Sequence, residues 1–280
     1  MSLSRQLTLH YIRTKFKLLS ALSKRKAAEQ AFTLFTTPQK RTKKKPAAIF
    51  DEAEKIHFLY KGNTIKGYRW NHPSNKKILI LHGYESSVIN FERYVKPLGQ
   101  KGYEVLGFDA MAHGNSSGKM INVLLYKDLI LHINKVYGPL NAFIAHSLGG
   151  LALSLALEEW KENKMIKAVL IAPATETTTA SDQLFRLLQL DDEVRKEFDA
   201  LIEKQSGQPP TWFSAARAAV NIKSDVLWVH DKDDAMTPYS DIKRIIHAKH
   251  PNYKFLITEG LGHSRIYRDA KVAKEIVDFL

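Results

Sequence analysis

The sequence predicts an α/β protein: a doubly wound, mostly parallel sheet with a helical cap insertion and a basic amphipathic helix at the N-terminus. Three observations carry this. Unbroken apolar runs at residues 78–81, 142–145 and 226–229 alternate with stretches of helical composition. Such strands belong in the middle of a parallel sheet covered on both faces. Residues 142–157, AFIAHSLGGLALSLAL, pass from a strand through a tight turn into a helix of buried composition, with one serine at the apex. Residues 177–221 then hold no strand candidate, so the alternation is interrupted by an insertion.

A chain of 280 residues can bury a large core, and it holds no cysteine. Disulfides, thiolate catalysis and cysteine zinc sites are therefore excluded. The net charge of +13 is unevenly placed. Residues 1–46 carry twelve Lys/Arg against Glu29 alone, whereas residues 47–280 carry thirty bases and twenty-eight acids. The body is nearly neutral, so it has no basic face of the kind that binds nucleic acid, and none is expected as a partner.

Residues 1–35 have helical composition, with Leu9, Ile12, Phe16 and Leu19 at spacings of three and four and with Arg13, Lys15, Lys17 and residues 24–26 as bases between and beyond them. Two readings follow: a helix packed on the body with its bases in solvent, or an interfacial helix on anionic lipid, with RNA contact a distant third. Charges interrupt the apolar positions and no small-residue cleavage site follows, unlike a signal peptide. No stretch has the apolar length of a membrane span. Residues 38–46, PQKRTKKKP, read as a charged, solvated linker that ends a first segment at 1–46, leaving 47–280 as the main domain with its cap at about 177–221. The expected location is cytoplasmic, with peripheral membrane contact through residues 1–45 as the variant.

Along the body, residues 55–70 alternate with period two around Gly62-Asn63 and predict a β-hairpin. A strand at 78–81 leads into His82-Gly83-Tyr84. A helix at 91–101, a strand at 103–108 ending in DAMAHGNSSG, and a helix at 126–136 lead to the serine turn. Strands at 167–171, 226–229 and 255–258 follow, the last two running into HDKDDAMTP and into a loop with His263. A helix at 269–280 closes the chain.

In a nucleophile elbow, small residues flank a serine because its backbone is strained and pressed against neighbouring strands. Here the pattern is Ala145-His146-Ser147-Leu148-Gly149, with alanine where glycine is more usual. Ser147, an aspartate of the 231–234 loop and His263 each follow a parallel strand, and such loops share the sheet edge where ligands bind. Their order is Ser, Asp, His. His82, His113, His146 and His230 read as structural groups in or beside these turns, and His247 and His250 lie on a late helix and its end. No histidine pair has HExxH spacing, so no metal is expected.

These motifs, HGYESS, DAMAHGNSSG, AHSLGG, HDKDDAMTP and GLGHS, follow one another as in the α/β-hydrolase superfamily, and from about residue 50 onward the chain resembles its serine esterase and lipase-like branch. The resemblance implies Ser147 as nucleophile, His263 as general base and no cofactor. Its acid loop has Gly-x-x-Asp with proline four residues after the aspartate. Pro238 lies four after Asp234, which selects Asp234, although Asp231 stands where the family often has glycine. The oxyanion hole would be the backbone N–H groups of Tyr84 and Leu148. Tyr84, Leu184, Trp212 and Phe213 are the candidate pocket residues. The expected activity is hydrolysis of an apolar acyl ester. A peptidase, a thioesterase, a carbon–carbon bond hydrolase and a non-catalytic binding protein are the alternatives. A peptidase would need an acid to hold the substrate amine, and Glu176, Glu197 and Glu203 are available.

Overall fold

The computed structural model describes residues 3–42, 44–161 and 163–280, with side chains from residue 6 onward in the first helix. Met1 and Ser2 of the expected arm and Lys43 of the expected linker lie outside the described residues. The chain opens with α1 (Leu3–Leu22) and α2 (Lys24–Thr36), followed by the hairpin β1 (Glu54–Tyr60) and β2 (Asn63–Trp70). Strands and helices then alternate through β3 (Lys77–Leu81), α3 (Glu92–Gln100), β4 (Glu104–Phe108), α4 (Val123–Tyr137), β5 (Ala142–His146), α5 (Leu148–Glu159) and β6 (Lys167–Ile171). The insertion carries α6 (Thr177–Leu188) and α7 (Asp192–Ser206). After α8 (Ala215–Ala218) come β7 (Asp225–Asp231), α9 (Tyr239–Ala248), β8 (Tyr253–Thr258), α10 (Gly262–Arg265) and α11 (Ala270–Phe279).

The eight strands form one sheet in the order β1-β2-β4-β3-β5-β6-β7-β8. β1 pairs antiparallel with β2, and β2 with β4, while all other neighbours are parallel. Alternate residues of the central strands face opposite helical layers. Ile78, Ile80, Ile144, Val169 and Val229 pack with Phe91, Tyr94 and Leu98 of α3 and its approach, and with Val272 and Ile276 of α11. The hairpin turns at Lys61 and Gly62, both at positive φ (45° and 73°), one residue before the expected Gly62-Asn63. Asn63 already pairs with Tyr60 across the ladder. β3 has β4 on one side and β5 on the other, so the chain order reverses there. That is the place where an open α/β sheet leaves a crevice at its strand ends.

The chain divides into two compact units, residues 38–175 with 214–280, and residues 1–37 with 176–213. The second unit differs from the expected division, which kept the arm apart from the insertion and ended the insertion at about 221. Its helices are held by nonlocal contacts that periodicity does not display. The expected single helix is broken at Ser23, whose side chain caps α2 by accepting from the Lys26 N–H at 3.3 Å. Leu9, Ile12, Phe16 and Leu19 turn inward to varying depth, Phe16 being 3% exposed. Phe198 of α7 is fully buried, with ring centroids 6.1 Å from Phe32, 5.8 Å from Phe35 and 5.2 Å from Phe185.

The arm's cations meet the insertion's acids and carbonyls. Lys24 Nζ lies 2.5 Å from Asp191 and 3.3 Å from Glu193, while Arg13 Nε donates to the Leu187 carbonyl at the end of α6. A cation suits a helix C-terminus. In the sheet unit the linker is exposed along most of its described length and is anchored at two points. Arg41 donates to the Ser116 and Gly118 carbonyls at 2.7 and 2.8 Å, and Lys44 pairs with Glu92 at 2.9 Å. Phe198→Ala is expected to destabilise the helical unit by about 3–5 kcal/mol, read by urea unfolding and by faster tryptic cleavage within residues 5–26.

Candidate active site

Ser147 sits between β5 and α5 with φ 52° and ψ −119°, outside the basins that a side chain prefers. Such a backbone costs about 1–3 kcal/mol and persists only when its surroundings enforce it. The Ser147 N–H donates to Ile171 at 3.1 Å, and its carbonyl accepts from Gly150 and Ala174 at 2.9 and 3.0 Å. Close packing completes the constraint. A Cβ on Gly149 would lie 2.7 Å from the His82 carbonyl oxygen, and one on Gly83 would lie 2.8 Å from Ser147 Cβ. Ala145, standing where glycine was the more usual residue, is fully buried between Leu81 and Leu170. The His82-Gly83-Tyr84 turn after β3 lies directly against this turn.

His263, on α10 after β8, places Nε2 3.0 Å from Ser147 Oγ and Nδ1 2.8 Å from Asp234 Oδ2. Asp234 follows β7. Its Oδ1 accepts from the Met236 and Thr237 N–H groups at 2.8 and 2.9 Å, and its Oδ2 from Thr237 Oγ1 at 2.8 Å. Burial pushes the Asp234 pKa up. The hydrogen bond and charge of His263, with the Thr237 donors, outweigh it and hold the carboxyl below its ordinary value. An ionised Asp234 can only accept, so His263 Nδ1 carries the proton and Nε2 accepts from the Ser147 hydroxyl.

Asp231 does different work. Its Oδ2 accepts from Thr258 Oγ1 at 2.7 Å and the Leu261 N–H at 3.0 Å, and its Oδ1 from the Asp233 N–H at 3.0 Å. It ties the acid loop to the loop that carries His263. Burial again opposes ionisation, and the Thr258 hydroxyl with the backbone donors of Gly262, Leu261 and Asp233 more than reverses it.

The expected oxyanion donors belong to Leu148 and Tyr84. Leu148 opens α5, where first-turn N–H groups have no acceptor within the helix. Tyr84 follows Gly83, and its buried hydroxyl has no hydrogen-bond partner among the described residues. Leu184, Trp212 and Phe213 belong to the helical unit. Phe213 is 2% exposed, as buried as the core residues Phe185 and Leu188, whereas Leu184 and Trp212 are half-buried.

Two contributors escaped the sequence reading. Thr237 bonds Asp234 and lies 3.3 Å from His263 Nδ1. A threonine three residues after an aspartate is a turn signal that could have pointed to it. His146, expected only to pack under the elbow, places Nε2 3.0 Å from the His263 carbonyl. The remaining structural histidines also pin loops. His82 accepts from the Ala110 N–H, His113 from the Glu85 N–H, and His230 meets the Thr237 carbonyl, at 2.9, 2.9 and 2.7 Å.

Burial lowers the pKa of all four histidines, to about 3 for His113 and His146. Each is a weaker base folded than unfolded, so a proton favours the unfolded chain. The stability they contribute is full above about pH 6.5 and is lost as pH falls towards those depressed values. The thermal midpoint is expected to drop steeply from about pH 6.5 downward, and a midpoint level to about pH 4.5 would contradict this.

Among the described residues, no group of three or more His, Asp or Glu is placed to hold a metal ion. Residues 72–255 match the family described as serine aminopeptidase, S33. The chain is 27% identical over 241 residues to YqkD of Bacillus subtilis (strain 168), described as uncharacterized, covering 78% of this chain and 76% of that one. Its fold is similar to that of Pyrococcus furiosus esterase Pf2001, with TM-score 0.64, 20% identity, and 88% and 97% of the two chains covered. It is also similar to Est1E from Butyrivibrio proteoclasticus, solved with ferulic acid bound, with TM-score 0.63, 19% identity, and 80% and 97% covered.

Proposed function

The chain belongs to the serine aminopeptidase, S33 family of α/β hydrolases, and from that premise we propose that it cleaves an ester-type bond through an acyl-enzyme. The observation that carries the reading is the unbroken path from Ser147 Oγ through His263 to Asp234, at 3.0 and 2.8 Å. Ser147 is the nucleophile. His263 Nε2 takes the hydroxyl proton as Oγ attacks the carbonyl carbon, and Asp234 stabilises the imidazolium that forms. The N–H groups of Leu148 and Tyr84 receive the negative charge on the carbonyl oxygen, each contributing a few kcal/mol at the transition state. Collapse expels the alcohol, which takes the proton from His263. Water then attacks the acyl-enzyme by the same route in reverse. No step calls for a cofactor.

An apolar acyl group is proposed, with Tyr84, next to the turn pressed against Ser147, as its candidate contact. The relatives named as esterases support ester over amide. The family's own description supports the second reading, an aminopeptidase, in which a carboxylate would receive the substrate's free amine.

Labelling of the folded protein with a fluorophosphonate probe tests the proposal. The expected adduct is on the peptide containing Ser147 and is absent from Ser147→Ala. Absence of labelling alongside no turnover of p-nitrophenyl esters would overturn it. Turnover of aminoacyl p-nitroanilides in preference to esters would favour the second reading.

A further inference from the structure

α1 is apolar on two faces, and only one of them is used. Phe16 and Ser20 are buried at 3% and 8% exposure, and Arg13 is tied to the Leu187 carbonyl, so the helix is fixed in rotation. The other face carries Leu7, Tyr11, Leu18 and Leu22, exposed at 63%, 69%, 64% and 84%. Their spacings of four, seven and four place them on a single stripe about 22 Å long. Four large apolar side chains in one exposed row are an interaction surface rather than scattered surface residues.

Charge identifies the occupant. α1 contains four cations, Arg5, Arg13, Lys15 and Lys17, and no acid. Lys15 and Lys17 are exposed on opposite flanks of the stripe, each within about a third of a turn of its centre. Neither forms an ion pair among the described residues, in contrast to Lys24 and Arg25, which are paired with acids. A second copy docking through α1 would oppose cations to cations with no carboxylate on the helix to relieve them. An anionic surface answers both the stripe and its flanks.

We propose that the outer face of α1 docks on the interface of an anionic lipid bilayer. Leu7, Leu18 and Leu22 enter the boundary between headgroups and acyl chains, Tyr11 keeps its hydroxyl at headgroup level, and Lys15 and Lys17 reach lipid phosphates along their flexible stems. The helix lies on the bilayer and does not cross it. No helix among the described residues is long and apolar enough to span one. The contact narrows from the whole arm to α1, because Lys24, Arg41 and Lys44 are engaged within the protein.

Co-sedimentation of the full chain with vesicles tests this, using phosphatidylcholine alone and an equimolar mixture with phosphatidylglycerol. Binding to the anionic vesicles is expected to be tenfold or more tighter, since each interfacial cation adds about 1 kcal/mol. The double variant Leu18→Glu with Leu22→Glu is expected to lose that binding about tenfold or more while keeping its thermal midpoint, both positions being exposed. Lys15→Glu with Lys17→Glu is expected to erase the preference for phosphatidylglycerol. Equal binding by wild type and the leucine double variant would overturn the proposal, as would no binding by wild type. So would self-association that the leucine variant abolishes without any uptake on vesicles, which assigns the stripe to a second copy.

Discussion

Asp234→Asn is expected to lower kcat on a p-nitrophenyl ester by about 10³- to 10⁴-fold while leaving the unfolding midpoint nearly unchanged. The amide oxygen can still accept from the Met236 and Thr237 N–H groups, so the turn persists. What is lost is the charge that stabilises the His263 imidazolium. An amide N–H turned towards Nδ1 would also move the proton to Nε2, where it faces Ser147 and blocks general-base action. Asp231→Asn is expected to do the reverse. Its Oδ2 accepts from both Thr258 and Leu261, so an amide nitrogen there meets donors and leaves one of them unpaired. That costs about 1–3 kcal/mol of stability, with a smaller fall in kcat. Measuring kcat and urea midpoints of both variants decides the matter. If Asp231→Asn has the lower kcat, the acid role passes to Asp231.

Gly83→Ala is expected to lower kcat about 10²-fold and destabilise the protein by about 1–3 kcal/mol. The added methyl would stand 2.8 Å from Ser147 Cβ and 2.9 Å from His146 Nδ1. Neither neighbour can swing away. Ser147 is held by its elbow, and His146 is buried and bonded to the His263 carbonyl. The methyl therefore displaces the nucleophile, the turn bearing Tyr84, or the loop bearing His263. Gly62→Ala is the matched control. It has positive φ but open space around it, so a cost of about 1 kcal/mol with unchanged kcat is expected. Equal kcat in the two variants would show that the contact between Gly83 and Ser147 carries no positional demand.

Much of this site is legible in the sequence because its signals are local. Strands β3, β5 and β7 contain unbroken apolar runs, and their ends announce themselves through HGY, AHSLGG and HDKDDAMTP. Ser147 and His263, placed by their order, and Asp234, selected by the family's loop pattern, form a chain of two hydrogen bonds with His263 in the middle. What stays illegible is nonlocal. Nothing around Lys24 says that its partners are Asp191 and Glu193, and nothing in the spacing of Phe32 and Phe35 says that Phe198 fills the space between them. The outer stripe of α1 is masked in the sequence by Leu9, Ile12, Phe16 and Leu19, which form a complete apolar face of their own. His146 was read by its neighbour in sequence, whereas its contact is the carbonyl of residue 263.

The helical unit draws its core from two segments that are far apart in sequence, and this sets an order of events during synthesis. α1 and α2 leave the ribosome well before α7. At ordinary translation speeds Phe32 and Phe35 wait about 10–30 s for Phe198. During that interval the insertion is not yet there to cover the apolar faces of α1 and α2, and an isolated helix of the 13 residues of α2 is marginal in water. The core of the helical unit therefore closes only after α7 has been made, behind β1 to β6 of the sheet.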